Sequence, residues 1–333
     1  MDEYITLAYG SGGKKTSQLI DEIIVPAFNN SELSKLNDGA ILNGSEKLAF
    51  STDSFVISPL FFPGGDIGKL SVCGTVNDVC MCGGEPKYLS LSFIIEEGFL
   101  RDDLIKIVDS IKKTAKECGV IIATGDTKVV EKGKGDGIYI NTAGIGFLKH
   151  EGLSREKIKI GDAVIVSGTM GDHGISVMAA RNDLITGNGL VSDCQPLNKI
   201  SKEILKYGDD VRIMRDPTRG GLATTLNEFV EGMDFSILID EDTVPLKESV
   251  VNACEILGLD PLYSANEGKV VFIVSKDKAE DVLSDIRKLP EGKDAAIIGK
   301  VTDEYKGKVV LKTPLGGSRI LSKLTGMQLP RIC

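Results

Sequence analysis

Residues 89–123 read LSLSFIIEEGFLRDDLIKIVDSIKKTAKECGVIIA, and the spacing of their apolar residues changes twice. Leu89, Leu91, Phe93 and Ile95 alternate, which is the period of a half-buried strand. Leu104, Ile105, Ile107, Val108, Ile111 and Ala115 then recur at helical spacing, and Val120 to Ala123 returns to a short apolar run. Strand, helix and strand in succession predict an α/β domain. Further strands are expected at Leu48 to Ser51 and at Ile138 to Phe147. The charged, glycine-punctuated stretch from Lys149 to Asp162 is the best boundary. Beyond it come a strand at Ala163 to Ser167, a glycine-rich loop, a helix from about Ile175 and a helix from Leu222 to Val230. Strands at Ser236 to Ile239, Val270 to Val274 and Ala295 to Val301 complete a second α/β domain. The expected division is an N-terminal domain over 1–150, a C-terminal domain over 155–325 and a flexible tail over 326–333.

Composition narrows the function. A chain of 333 residues exceeds what one hydrophobic core usually organises. Its net charge of −9 argues against a nucleic-acid surface, which would need a basic stripe. No apolar run approaches membrane-spanning length, and Met1-Asp2-Glu3 is the wrong start for a signal peptide, so a cytoplasmic protein is expected. Seven cysteines make an odd number, which disfavours a disulfide scaffold. Cys73, Cys80 and Cys82 lack the second pair or the histidine of a closed zinc site, and they read as buried structural thiols, as do Cys118 and Cys194.

The last residues, Leu329-Pro330-Arg331-Ile332-Cys333, place a thiol where a side chain is usually of no consequence. Pro330 stiffens the approach and Gly326 offers a swivel. From Gly326 the extended chain reaches about 25 Å, enough to deliver the sulfur into a cleft. The adjacent α-carboxylate should raise the thiol pKa and Arg331 should partly offset it. Cys333 is therefore better suited to carrying a group than to attacking unaided.

Glycine loops and aspartates supply the chemistry for such a cleft. Gly10-Ser11-Gly12-Gly13-Lys14-Lys15-Thr16 precedes a helix near Ser17, and its backbone N–H groups, helix dipole and lysines make a phosphate cradle on a mobile flap. Its spacing is not that of a Walker A loop. Asp53, in Ser51-Thr52-Asp53-Ser54, and Asp126, in Thr124-Gly125-Asp126-Thr127-Lys128, are expected at strand ends, where α/β sheets gather ligands. Asp78 falls in a helix otherwise built of small residues and valine. Three hard oxygen ligands suit Mg²⁺ holding a nucleotide's phosphates, although a turn or cap role would explain any one of them. Asp216-Pro217-Thr218-Arg219-Gly220-Gly221 reads as an N-cap followed by proline, with Asp216 a further metal ligand. His173, in the loop Gly168 to Gly174, is expected to satisfy backbone groups. With only two histidines in the chain, acid–base work falls to Lys128 and Glu267.

The Gly-Ser-Gly-Gly flap, Ser51-Thr52-Asp53-Ser54, Pro63-Gly64-Gly65-Asp66-Ile67-Gly68-Lys69, Thr124 to Val130, Gly171-Asp172-His173-Gly174, Asn266-Glu267-Gly268-Lys269 and the final Pro-Arg-Ile-Cys together resemble the hydrogenase maturation factor HypE family over nearly the whole length. More broadly the chain is similar to the superfamily of aminoimidazole ribonucleotide synthetase and selenophosphate synthetase. This resemblance implies a two-domain α/β (α+β) subunit that dimerises through its N-terminal sheet, with ATP and Mg²⁺ in a cleft under the flap. It places nucleotide contacts at Gly12, Gly13, Lys14, Asp53, Lys69, Asp78, Asp126 and Asn141, and metal ligands at Asp53, Asp78, Asp126 and Asp216. The implied reaction loads Cys333 with a carbamoyl group from HypF and dehydrates the S-carboxamide to a thiocyanate using ATP, with Lys128 or Glu267 as base. The cyanide would pass to a HypC–HypD complex for the iron of nickel–iron hydrogenase. Two features depart from relatives: Tyr9 stands where the family commonly has His, and Ser11 stands where selenophosphate synthetases carry a nucleophile. The alternatives are another ATP-dependent synthetase of this fold and a non-catalytic thiol carrier or scaffold.

Overall fold

A computed structural model describes residues 2–35, 39–182, 189–324 and 331–333. Residues 326–330 of the expected tail therefore lie outside the described residues. In the N-terminal half, strands β1 (Leu48–Phe55), β2 (Gly84–Glu96), β3 (Ile121–Val130) and β4 (Ile138–Leu148) form one sheet in the order β1-β4-β2-β3. Only β2 and β3 run parallel; β4 is antiparallel to both of its neighbours. Asp53 and Asp126 consequently lie inside strands and not at the ends of parallel ones. The polar run Ser51 to Ser54 hid half of β1, because its backbone pairs with Gly144 to Asn141 of β4 whatever the side chains are.

Helix α1, spanning 14–28 with a π turn at Ile20–Ile24, follows the glycine flap. Helix α2 (Ile67–Met81) starts at Asp66, whose side chain accepts from Gly68 N and Lys69 N, a satisfied N-cap. Helix α3 (Arg101–Cys118) carries the expected apolar stripe and ends on Gly119 in the left-handed region. Almost all of α2 is buried. It lies unusually close to the sheet: a Cβ added at Gly146 of β4 would sit 2.4 Å from Val79 Cγ1, and one at Gly144 2.7 Å from Thr75 Cγ2. Glycine at both positions is what lets the helix approach.

The second half builds a seven-stranded sheet from β5 (Ala163–Val166), β6 (Val211–Arg215), β7 (Ser236–Asp240), β8 (Val271–Val274), β9 (Ala296–Thr302), β10 (Val309–Lys312) and β11 (Ser318–Ile320). The order is β11-β10-β7-β9-β5-β8-β6, antiparallel except for β10 against β7. Helices α4 (Asp172–Arg181), α5 (Asn198–Ile204), α6 (Gly221–Val230), α7 (Glu248–Leu257) and α8 (Ala279–Ile286) complete it. The free face of α2 is covered by this half. Buried Asn77 donates to Gln195 O and Glu267 O, both at 3.2 Å, and accepts from Leu197 N at 2.8 Å. Those bonds fix Glu267 beside Asp78 and close a seam between the halves.

Among the seven cysteines Cys82 differs from expectation. Cys73, Cys80, Cys118 and Cys194 are buried, but Cys82 is exposed because it is the C-cap of α2, one residue past the covered surface.

Candidate active site

The seam holds a cavity of about 170 Å³ lined by Thr52, Asp53, Gly74, Asp78, Asp216, Thr218, Arg219, Glu267 and Cys333. Its walls come from five places in the chain. Strand alternation turns Ser51 and Asp53 of β1 toward α2, where Ser51 Oγ donates to Asp78 Oδ2 at 2.6 Å. Gly74 lies one turn before Asp78 on the same helix face. Asp216 follows the end of β6 and is not the helix cap expected from its sequence. Helix α6 begins only at Gly221, with Gly220 as N-cap at φ 73°. A Cβ at Gly221 would meet Ser264 O at 2.5 Å, so the paired glycines admit a left-handed turn against the Ser264 loop. That turn leaves Arg219 over the cavity, with Nη2 3.4 Å from Asp53 Oδ1.

Four carboxyl groups and one thiol share this space with a single guanidinium. Burial raises the pKa of Asp53, while Ser54 N–H and Arg219 lower it and Asp78 raises it. Burial, reinforced by Asp78, pushes Asp216 up to about 7. Glu267, only 2% exposed, is raised well above the usual carboxylate range by burial first and then by Cys333. The Cys333 thiol is also raised, chiefly by burial, with Arg219 lowering it. The expected offset from Arg331 does not occur, because Arg331 pairs with Asp136 instead. Crowded hard oxygens, with the proton affinity of Asp53, Asp216 and Glu267 raised, are a donor set for a hard dication. Among the described residues no three His, Cys, Asp or Glu side chains stand close enough to enclose a metal. Mg²⁺ fits such a set, since it commonly takes one or two carboxylates and completes its shell with phosphate oxygens and water.

Other expected site residues lie elsewhere. Register places Ser54 and Ser92 beside Asn141, and Ser92 beside Asp126, all on the sheet face opposite α2. Lys128 is on that outer face too, 62% exposed and 2.8 Å from Asp126 Oδ1, which holds the Asp126 carboxyl low. Asp126 also lines a cavity of about 410 Å³ with Thr16 and Ser17 of α1. Gly12 and Gly13 of the flap are exposed, and Gly12 N donates to Thr16 Oγ1 at 2.9 Å. Lys14 stands at the first residue of α1. Lys69 donates to Gly64 O and lines a third cavity of about 420 Å³, with Lys247 and Lys269. Tyr9 is 1% exposed and anchors the flap root, its ring 5.1 Å from Lys15 Nζ.

The route of the chain into the cavity was not legible beforehand. Residues 331–333 run beside 56–58: Val56 N donates to Cys333 O and Ser58 N to Arg331 O, both at 3.2 Å. His173 satisfies a backbone group as expected, and that group is Ile332 O, at 2.6 Å. Arg181 Nη2 donates to Arg331 O at 2.8 Å. In sequence Arg219 was visible only as a basic residue at an anion-friendly helix start, and nothing local marks Arg181 or Asp136.

Comparison with known proteins gives a consistent picture. Residues 36–148 match the N-terminal domain of the AIR synthase related proteins, and residues 159–312 match the C-terminal domain. The carbamoyl dehydratase HypE of Bradyrhizobium diazoefficiens is 47% identical over 332 residues, covering 99% of this chain and 96% of that protein. A crystal structure of the hydrogenase maturation protein HypE in complex with ATP superposes with a TM-score of 0.95 at 47% identity, over 98% of this chain and 99% of that one. The structure of a HypE–HypF complex matches with a TM-score of 0.80 at 49% identity, over 92% and 99%. Identity at this level over essentially the whole chain, on the same two-domain fold, shows that the chain belongs to the HypE family of hydrogenase maturation proteins.

Proposed function

We propose that the protein is an ATP-dependent carbamoyl dehydratase that converts an S-carboxamide on Cys333 into a thiocyanate. The observation that carries this reading is the Cys333 thiol lying in one cavity with Asp53, Asp78, Asp216, Arg219 and Glu267. In the overall reaction the carboxamide oxygen leaves as part of inorganic phosphate, both N–H protons are lost, and the carbon–nitrogen bond becomes a nitrile as ATP becomes ADP. An amide oxygen is a poor leaving group, and transfer of a phosphoryl group to it makes elimination feasible.

This chain's residues divide the work by position. One or two of Asp53, Asp78 and Asp216 would hold Mg²⁺ together with phosphate oxygens and water, and the ion when bound neutralises charge on the phosphoryl group. The Arg219 guanidinium faces both Cys333 and Asp53, where it favours negative charge beside the sulfur. Glu267 is the base in this cavity: a buried carboxylate with raised proton affinity accepts an N–H proton more strongly than an exposed one. Lys128 does not reach this cavity from its own chain. Leu48, Phe50, Ile94 and Ile121 are exposed on the same outer face as Lys128, Asp126 and Asn141, an apolar surface that a second copy would cover. A homodimer through the N-terminal sheet would bring the partner's outer face, with its nucleotide contacts, into use.

HypF is the carbamoyl donor in this proposal, supported by the solved complex of a relative with HypF. A HypC–HypD complex would receive the cyanide. All seven cysteines are free, which suits a reducing cytoplasm. Among the described residues no helix is long and apolar enough to cross a membrane. The test is mass spectrometry of the chain after carbamoylation and addition of Mg²⁺ and ATP. Conversion of carbamoylated Cys333 to thiocyanate, lost in Asp78→Asn and Glu267→Gln, is expected. Full ATP turnover with Cys333 unmodified would refute the proposal.

A further inference from the structure

We infer that His173 and Arg181, at opposite ends of α4, form a seat that holds residues 331–333 and so places the Cys333 sulfur in the carboxylate cavity. Both are positioning residues for the reaction proposed above, and the inference rests on that reading only for its consequence, not for its geometry. His173 is fully buried. A carbonyl only accepts, so Nε2 carries the hydrogen that it donates to Ile332 O at 2.6 Å. Nδ1 then accepts from Ser192 Oγ at 2.8 Å, and Ser192 Oγ in turn accepts from Cys194 N at 3.0 Å. The Phe62 ring closes one side edge-on, with centroids 5.4 Å apart.

This arrangement couples the imidazole to the tail. Of the two ring nitrogens, one is served by the domain itself and the other only by Ile332. With the tail withdrawn, a buried donor loses its partner, which is costly. His173 thus favours the seated state specifically, as a group must in order to shift a conformational equilibrium.

Arg181 contributes a second, independent hold. Its Nε donates to Ser58 O at 2.9 Å and its Nη2 to Arg331 O at 2.8 Å, so one guanidinium ties the tail to the segment it runs beside. Ser58 N donates to the same Arg331 carbonyl. The Ile332 side chain, 5% exposed, is packed into the core between these two anchors. Cys333 is a single residue beyond that anchor, which leaves its sulfur little freedom to leave the cavity.

The test is site-resolved alkylation of the full-length reduced protein with iodoacetamide at a single pH, without ATP or carbamoyl donor. The protein supplies its own controls: Cys82 is an exposed reference, while Cys73, Cys80, Cys118 and Cys194 react only if the fold opens. His173→Leu and Arg181→Met are each expected to raise Cys333 alkylation relative to Cys82 by at least about fivefold, the worth of one hydrogen bond. His173→Gln, whose amide still donates to Ile332 O, should raise it less. An unchanged ratio in Arg181→Met and His173→Leu, with the buried thiols protected, overturns the inference. If His173→Leu exposes those thiols, Arg181→Met decides alone. Because no turnover is measured, failure of the dehydratase reading would leave this result untouched, and failure of the seat would leave turnover of the wild type untouched.

Discussion

Acid should weaken this protein through one imidazole. Burial lowers the pKa of His173 from 6.5 to about 4, because its protonated form would carry a charge in a fully enclosed site. Between those two values the unfolded chain binds a proton that the native state does not. Stability is therefore complete above pH 6.5 and falls as the pH drops toward 4. Each pH unit in that window is worth ~1.36 kcal/mol, which makes about 3 kcal/mol in all. The perturbation that isolates this contribution is His173→Gln, similar in shape and without a titrating group. Guanidinium unfolding followed by far-ultraviolet circular dichroism, in reductant and at several pH values from 7.5 to 4, gives the stability of each protein. The variant has a constant penalty for imperfect hydrogen bonds, and every other titrating group is common to both. The difference between the two curves should consequently close by about 3 kcal/mol, or reverse, as the pH falls. Curves that stay parallel through the window would show that His173 takes up its proton as easily in the native state as in the unfolded one, and the account of a buried neutral donor would be wrong.

Two further outcomes follow from charges in and near the seam. Arg219→Gln removes the group that lowers the Cys333 pKa, so the pH at which Cys333 becomes reactive toward a thiol probe should move upward; an unmoved or lowered profile would sever Arg219 from the thiol. Arg212, at 9% exposure, donates through Nε to Asp162 Oδ2 at 3.0 Å, and Arg212→Ala removes the cation from a buried carboxylate and leaves it the Lys159 N–H at 2.8 Å. We expect a loss of about 3–5 kcal/mol in chemical denaturation, and a loss below 1 kcal/mol would show that Asp162 is rehydrated.

Elements set by their own side chains were legible in advance. The alternation at Leu89 to Ile95 became β2, and the stripe from Leu104 to Ala115 became α3, with each end extended by a few residues. Such patterns report burial, and burial of one face is imposed on every residue of a strand or helix by its own period. Polar strands were read less well. Thr124 to Val130 continues as β3 because its backbone pairs with β2, a bond that leaves no mark on side-chain hydropathy. Helix starts misled for a related reason: Asp216-Pro217 has the chemistry of a cap, yet Gly220 and Gly221 turn the chain again before the helix begins.

By itself, then, the sequence determined two α/β halves, the glycine loops, the acidic residues available for a dication and a thiol near the end of the chain. Tertiary structure decided which of them meet. The packed chain, through the mixed order β1-β4-β2-β3, puts Asp53 on one face of the sheet and Asp126, Lys128 and Asn141 on the other. It also brings Asp216 and Glu267 from the second half against Asp78, gives Cys333 to Arg219 and not to Arg331, and makes His173 a partner of Ile332. The physical reason is one of range. Hydrophobic period is local and survives in a list of residues, whereas the pKa of a carboxyl or thiol depends on groups far along the chain, such as Cys333 for Glu267 and Asp78 for Asp216, that only the packed chain places beside it.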